Sequence, residues 1–145
     1  MTQLHLQRLR PDAQIPRRAT KDSAGLDLCA CLDGPVVIPP GETAMIGAGV
    51  AIAVEPGYAA FVYARSGLGV RHGIVPGNCV GVIDADYRGE IMIGLRNQSN
   101  EAFTVRPGDR VAQLVIAPVA TPEVIVVDSL GDTARGDGGF GSSGR

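Results

Sequence analysis

Tryptophan is absent from this chain of 145 residues, and aromatic residues make up only 4% of it. The core must therefore be built from Val, Ile, Leu and Ala, which the hydrophobic content of 45% and a length typical of one domain allow. Charged residues are also few, at 19%, and the net charge of −2 comes with no long basic run. These absences exclude the charge pattern of a nucleic-acid-binding chain, and no apolar run approaches the length of a membrane span.

Cysteine is scarce as well, and the odd number of three argues against a disulfide framework. Cys29 and Cys31 stand two residues apart in a predicted strand, which is a poor geometry for bridging. We interpret these two and Cys79 as small, buried apolar groups in a reducing compartment. The first residues do not have the layout of a signal peptide. We therefore expect a soluble protein of the cytoplasm.

Glycine and proline, by contrast, are abundant, with 20 and 10 residues spread along the chain. Pro-Gly pairs predict turns between apolar runs at residues 40–41, 56–57, 76–77 and 107–108. Strand-prone segments cover residues 26–31, 36–38, 43–54, 58–63, 80–83, 89–95, 101–105, 110–118 and 123–127. This spacing predicts one all-β domain over residues 1–145, folded as a jelly-roll-like β-barrel or sandwich. Residues 66–72 favour a single short helix, and residues 1–23 are expected to be irregular.

Residues 77–91 carry apolar residues on both sides of an Asp-Ala-Asp-Tyr-Arg-Gly turn, which predicts a β-hairpin with a polar tip. Such a hairpin can offer main-chain N–H and C=O groups to a flat partner and aim a carboxylate at a fixed point. Asp84 and Tyr87 are the residues expected to face that partner. Alternatively, this is a surface hairpin whose aspartates only make the turn.

Two further segments contain polar groups that suit an anionic ligand. Asp27 lies inside an apolar strand, where it is either an edge residue facing water or a carboxylate near a metal-bound water. The glycine-rich residues 64–73 contain Arg65 and Ser66, which suit phosphate, although the spacing is not that of a Walker A loop. A purely structural turn is the alternative, and His72 either completes that turn or touches phosphate.

The end of the chain and one strand complete the set of candidates. Gln113 alternates with Ala112 and Leu114, so it points to the opposite face of its strand. Residues 133–145 are too rich in glycine to pack a core and predict a mobile C-terminal arm. The arm is either a simple tail or a lid that closes over a ligand, with Phe140 stacked on a ring and Arg135 at phosphates.

Five segments resemble, in sequence and in order, the five motifs of the homotrimeric dUTPase family. They read Ala-Gly-Leu-Asp-Leu (24–28), Arg-Ser-Gly-Leu-Gly (65–69), Gly-Asn-Cys-Val-Gly-Val-Ile-Asp-Ala-Asp-Tyr-Arg-Gly (77–89), Arg-Val-Ala-Gln-Leu (110–114) and Arg-Gly-Asp-Gly-Gly-Phe-Gly-Ser-Ser-Gly (135–144). The resemblance implies a trimer with active sites at subunit boundaries. It also implies Mg²⁺-assisted hydrolysis of dUTP to dUMP and pyrophosphate, which keeps uracil out of DNA and supplies dUMP for thymidylate synthesis.

The resemblance further implies roles for individual residues. Asp84 would activate the attacking water, Tyr87 would pack against deoxyribose, and Asp27 would at most orient a water on Mg²⁺. The Asn78 side chain and the main chain of residues 78–84 would read uracil. The implied substrate-binding residues are Arg65, Ser66, Gly67, Asn78, Val82, Ile83, Asp84, Tyr87, Met92, Gln113, Arg135, Phe140, Gly141 and Ser142. Ala64 stands where many relatives have proline, which removes no functional group.

Two other interpretations remain open at this stage. A dCTP deaminase-like trimer shares the barrel and needs a Glu beside the pyrimidine, for which Glu90 is the nearest candidate. A non-catalytic nucleotide-binding β-barrel would keep the pocket without the chemistry. The intact Asp84 and the complete arm favour the diphosphatase. No nucleic acid or membrane is expected as a partner.

Overall fold

The computed structural model describes residues 3–139, which form eleven strands and one helix. The elements, in chain order, are β1 (His5–Arg8), β2 (Leu26–Cys29), β3 (Val36–Ile38), β4 (Thr43–Gly47), β5 (Val50–Ala53), β6 (Tyr58–Tyr63), α1 (Ser66–His72), β7 (Ile74–Pro76), β8 (Gly81–Ile83), β9 (Met92–Asn97), β10 (Phe103–Val105) and β11 (Arg110–Pro118). The prediction of an all-β fold with one short helix is therefore confirmed. Within the described range, no helix is long and apolar enough to cross a membrane.

The strands of this part of the chain lie in four small antiparallel sheets and do not close into one barrel. The largest sheet has the order β2-β11-β6-β8, and the next has the order β4-β9-β7. Two pairs, β1-β5 and β10-β3, complete the set. Glycine and proline interrupt the strands after three to nine residues, and the short strands therefore change sheets often.

The core is aliphatic, as the lack of tryptophan requires. Its fully buried side chains include Leu28, Ile38, Ile46, Ile93, Leu95 and Leu114, and each stabilises the fold by about 1.5–3 kcal/mol through burial. Asn97 is the buried polar residue of the described core, and its Nδ2 donates to the carbonyls of Ile38 (2.9 Å) and Glu101 (2.7 Å). These bonds satisfy the amide and join β3 to the end of β9.

The helix has the predicted bounds, Ser66–His72, and its C-terminal cap explains where it ends. Gly73 has a φ of +66° and its N–H donates to the carbonyl of Gly69 (3.0 Å). This left-handed conformation favours glycine. A Cβ at Gly73 would also lie 3.1 Å from the main-chain nitrogen of Ser99. The helix therefore ends at His72, and Gly73 returns the chain to β7.

The predicted strands differ from the structure in several places. The predicted strand 43–54 is two strands, because Gly49 turns the chain with a φ of +67°. β1 and β7 form in segments that were not assigned as strands. The predicted strand 123–127 is wrong: these residues are irregular, and Val126 is 94% exposed, because no strand of the described chain lies beside them.

Candidate functional site

Residues 84–91 connect two sheets instead of closing a hairpin. β8 ends at Ile83 and pairs with β6, whereas β9 begins at Met92 and pairs with β4 and β7. The predicted hairpin pairing is therefore wrong, although the turn itself forms, with the Tyr87 N–H donating to the Asp84 carbonyl (3.2 Å). Because the two strands diverge into different sheets, the connecting segment borders a gap between them.

This gap is a pocket of about 230 Å³, which we call the turn pocket. It is lined by Val62, Asn78, Gly81, Val82, Ile83, Asp84, Tyr87, Glu90, Ile91 and Met92. Apolar side chains thus lie beside one amide and two carboxylates. The fold brings together six of the predicted site residues here, and Glu90, considered from sequence only for a deaminase, lines the same pocket.

Tyr87 is held at the mouth of the turn pocket by its main-chain surroundings. Its hydroxyl donates to the carbonyl of Glu90 (3.0 Å), while 45% of the residue stays exposed. A Cβ at Gly89 would collide with the Tyr87 ring. Arg88 Nη1 donates to the carbonyls of Ala85 (2.7 Å) and Tyr87 (2.8 Å), which stiffens the turn.

The loop that carries Asn78 is tightly folded. Cys79 has a φ of +64°, and its N–H donates to the carbonyl of Pro76 (3.0 Å). A Cβ at Gly81 would lie 3.1 Å from Cβ of Val62, its register partner on β6, so the glycine lets these two pocket-lining residues pack closely.

The environments of the cysteines differ from the prediction, since Cys79 is exposed and Cys29 is only partly buried. Burial raises the pKa of the Cys29 thiol and of the Cys31 thiol. The prediction of three buried cysteines therefore holds only for Cys31, which is 7% exposed.

A second pocket, of about 180 Å³, lies where β2, β11 and the end of β6 meet, and we call it the arginine pocket. Its lining residues are Ala19, Ser23, Gly25, Asp27, Arg65, Ser66, Gly67 and Gln113. Gln113 is the direct register partner of Asp27 and of Tyr63, and its Nε2 donates to the carbonyl of Ala64 (2.8 Å). A Cβ at Gly25 would lie 2.6 Å from Gln113 Oε1, so a side chain at this position would displace the Gln113 amide.

Asp27 is bound by two arginines, an arrangement that sequence analysis did not predict. Its Oδ1 accepts from Arg65 Nε (2.8 Å) and its Oδ2 accepts from Arg110 Nη1 (3.2 Å). The Asp27 side chain is 17% exposed, and ion pairing offsets the cost of placing a carboxylate there. Arg65 Nη1 also contacts the carbonyl of Arg110 (3.3 Å), so the guanidinium is held in one orientation. Arg110 lies next to Asp27 because β11 pairs with β2.

The two pockets share no lining residue. Asp84 lies in the turn pocket, whereas Arg65, Ser66, Gly67 and Gln113 lie in the arginine pocket. Among residues 3–139, no three His, Cys, Asp or Glu side chains are grouped so as to hold a metal ion.

The arm lines neither pocket within the described range. Arg135 sits in a turn of its own, in which its Nε donates to the carbonyl of Gly138 (2.8 Å). Phe140, Gly141 and Ser142, to which the sequence assigns substrate contacts, lie outside the described residues.

Comparison with known proteins gives a consistent result. The family model described as dUTPase matches residues 11–144. The chain is 49% identical to the deoxyuridine 5'-triphosphate nucleotidohydrolase of Idiomarina loihiensis, over 100% of this chain and 99% of that relative. It is 53% identical to the enzyme of the same name from Ralstonia nicotianae, over 91% and 90% of the two chains.

Solved structures agree with these relatives. A variant dUTPase of Staphylococcus bacteriophage 80alpha with dUpNHpp superposes with a TM-score of 0.91 at 29% identity, covering 100% of both chains. A variant dUTPase from phage phi11 of S. aureus, described as coordinating a structural Mg(II) ion, gives a TM-score of 0.81 at 28% identity. That match covers 89% of this chain and 99% of the phage protein.

Proposed function

The chain belongs to the dUTPase family, and we propose that it hydrolyses dUTP to dUMP and pyrophosphate. The observation that carries the proposal is the turn pocket, in which a carboxylate, an amide and a tyrosine border a narrow gap of about 230 Å³. The resemblance of the five motifs and the family match over residues 11–144 support it.

Uracil is read by the main chain of residues 78–84 and by the Asn78 amide, which both donate and accept hydrogen bonds. Thymine is rejected because its 5-methyl group would collide with the main chain of residues 78–84. Cytosine presents a different donor and acceptor pattern and would leave buried polar groups unpaired. Tyr87, together with Met92, meets the sugar and excludes a 2'-hydroxyl.

Asp84 is the general base that orients a water for in-line attack on the α-phosphorus. Its carboxylate lines the turn pocket and is exposed to solvent, so a water can reach it. The nucleophile forms a new P–O bond, the bond from the α-phosphorus to the bridging oxygen breaks, and pyrophosphate leaves. The proton of the water passes to Asp84.

The phosphates bind in the arginine pocket of a neighbouring copy, which makes the enzyme a homotrimer with shared sites. Two observations support this arrangement. The general base and the phosphate-binding groups occupy separate pockets of one chain, and the apolar residues between 124 and 130 are exposed to solvent. In that segment Val124 is 88%, Val126 94% and Leu130 96% exposed, and exposed apolar residues that follow one another are typical of a surface that another chain covers. The arm of another copy supplies Phe140 to uracil and Arg135, Gly141 and Ser142 to the triphosphate.

The described residues of the arginine pocket offer too few free oxygen ligands to bind Mg²⁺ without the phosphates of a substrate. Asp27 is the one carboxylate among the described lining residues, and both of its oxygens already accept from arginines. Mg²⁺ would therefore be held mainly by phosphate oxygens and waters, and Asp27 would at most orient one such water. The ion would offset the negative charge of the phosphates. Arg65, Ser66, Gly67 and Gln113 add fixed donors around the same group.

The function in the cell is the removal of dUTP from the cytoplasm, which keeps uracil out of DNA and supplies dUMP for thymidylate synthesis. The experiment that tests the reaction is pyrophosphate release with Mg²⁺ from dUTP, dTTP, dCTP and UTP in parallel. We expect turnover of dUTP alone. Equal turnover of all four would contradict base and sugar reading, and binding of dUTP without turnover would indicate a non-catalytic nucleotide-binding β-barrel.

One observation keeps the deaminase alternative testable, since Glu90 lines the same pocket as Asp84. Its Oε1, however, accepts the N–H of Gly49 (2.7 Å), so that oxygen is already engaged in the fold. Release of ammonia from dCTP decides between the two, and we expect none.

A further inference from the structure

Glu90 joins the turn pocket to the connection between β4 and β5. Its Oε1 accepts the N–H of Gly49 (2.7 Å), and the main chain on either side is bonded in the same place. Ala48 donates to the carbonyl of Ile91 (3.0 Å), and Ile91 donates to the carbonyl of Val50 (2.9 Å). Three consecutive hydrogen bonds therefore hold residues 90–91 against residues 48–50.

Two glycines make room for this contact. A Cβ at Gly47 would lie 2.5 Å from Glu90 Oε1, so the carboxylate rests directly on bare main chain. A Cβ at Gly49 would come within 2.6 Å of Ala13 and Cys31, and the residue has a φ of +67°. The direction of the Gly49 N–H is thus fixed by packing on the far side of the turn.

The same residue holds Tyr87. The carbonyl of Glu90 accepts the Tyr87 hydroxyl (3.0 Å), while its side chain accepts from Gly49. We propose that Glu90 is a positioning residue for sugar discrimination: its side chain, anchored on Gly49, fixes the carbonyl that holds Tyr87 over the pocket. The inference rests on the proposed function, because it assumes that Tyr87 meets the deoxyribose.

The exposure of Tyr87 explains why this anchor matters. With 45% of the residue in solvent, packing alone does not fix the ring, and the hydroxyl bond is the restraint at its free end. When the Glu90 side chain no longer accepts from Gly49, only the two main-chain bonds of Ile91 hold residues 90–91 against residues 48–50, and the Glu90 carbonyl can shift with them. The ring then moves away from the sugar and a 2'-hydroxyl is admitted.

The test compares kcat/KM for UTP and dUTP in wild-type protein, Glu90→Met and Glu90→Gln. Met keeps the length of the side chain without an oxygen acceptor, so the UTP/dUTP ratio is expected to rise about tenfold, the effect of one lost hydrogen bond. Gln keeps an acceptor at the same position, and the ratio is expected to stay near that of wild type. A ratio that stays at the wild-type value in Glu90→Met would overturn the proposal.

A double-mutant cycle with Tyr87→Phe separates positioning from general damage. Phe keeps the ring and removes the hydroxyl that donates to Glu90, so its effect on the ratio should resemble that of Glu90→Met. If Glu90 and Tyr87 act through the same hydrogen bonds, the UTP/dUTP ratio of the double variant should be no higher than that of either single variant. Additive effects would overturn the proposal, even if Glu90→Met lowers stability.

The wild-type ratio distinguishes failure of this inference from failure of the proposed function. Wild-type protein that hydrolyses UTP as readily as dUTP has no sugar gate, and both proposals fall. Wild-type protein that discriminates, with a Glu90→Met variant that discriminates equally, overturns only the role of Glu90.

Discussion

The turn pocket and the arginine pocket differ in how far apart along the chain their parts lie. All lining residues of the turn pocket except Val62 fall between residues 78 and 92. The arginine pocket takes its lining from residues 19–27, from residues 65–67 and from Gln113. A single stretch of sequence therefore supplies most of the first pocket, whereas the second takes its parts from three strands and the loops beside them.

The two pockets also differ in how they hold their polar groups. In the turn pocket, main-chain bonds hold the Tyr87 ring, and the Asp84 carboxylate remains open to water. In the arginine pocket, side chains hold one another, with Asp27 between Arg65 and Arg110. The first arrangement suits a group that must react, and the second suits a cation that must stay oriented while an anion binds.

The largest expected effect comes from removing the base of the turn pocket. Asp84→Asn should lower kcat for dUTP by about 10²–10⁴-fold, the usual contribution of a general base, while dUpNHpp still binds. Steady-state pyrophosphate release and calorimetric titration measure the two quantities. Asp86→Asn is the matched control, because Asp86 is exposed in the same turn and does not line the pocket. Full activity in Asp84→Asn would remove Asp84 from the mechanism.

The next largest effect tests whether the two pockets act in one chain or across copies. Arg65→Met should lose about 10–100-fold in kcat/KM through weaker phosphate binding. Mixing it with Asp84→Asn should restore activity, because about one site in four of a randomly mixed trimer then combines an intact Asp84 with an intact Arg65. Each variant taken alone through the same mixing protocol is the control. No recovery in the mixture would mean that both pockets of a site belong to one chain.

A smaller effect is expected from loosening the arginine pocket without removing its cation. Asp27→Asn leaves Arg65 in place but weakens the bond to its Nε, so KM should rise about tenfold with a smaller change in kcat. The free energy of unfolding should fall by about 1–3 kcal/mol, because Asp27 is 17% and Arg65 25% exposed. Asp33→Asn is the control, since Asp33 is 91% exposed in its ion pair with Arg10. Urea unfolding and initial rates measure both effects, and equal results for the two variants would contradict the positioning of Arg65 by Asp27.

The same contrast between local and distant interactions explains what could be predicted from the sequence. The helix Ser66–His72 and the strand Tyr58–Tyr63 have their predicted bounds, because glycine, proline and alternating side chains mark them locally. β1 has little sequence signal because its residues are mostly polar, and it forms by pairing with β5. The valines of residues 123–127 predict a strand, but a strand needs a partner.

The candidate site follows the same rule. The cluster around Asp84 could be predicted from one contiguous motif, although the hairpin pairing could not, because β8 and β9 pair with other strands. The contact of Arg110 with Asp27 spans 83 residues and depends on the register of β2 with β11. The Glu90 contact with Gly49 depends on a glycine turn 41 residues earlier. No local pattern contains either partner.

The smallest expected effect is a difference in alkylation rate between Cys79, near the turn pocket, and Cys29, near the arginine pocket. Cys79 is exposed beside Asn78, whereas Cys29, on β2 next to the arginine pocket, has its pKa raised by burial. A raised pKa leaves less thiolate at a given pH, so Cys79 should react with iodoacetamide at pH 8 well before Cys29 or Cys31. Mass spectrometry of the labelled peptides gives the order, and Cys79→Ser should remove the fast phase alone. Bound dUpNHpp should slow the labelling of Cys79, because Asn78 and Gly81 on either side of it line the turn pocket. Equal labelling of Cys79 with and without dUpNHpp would mean that the analogue does not cover the loop of residues 77–80.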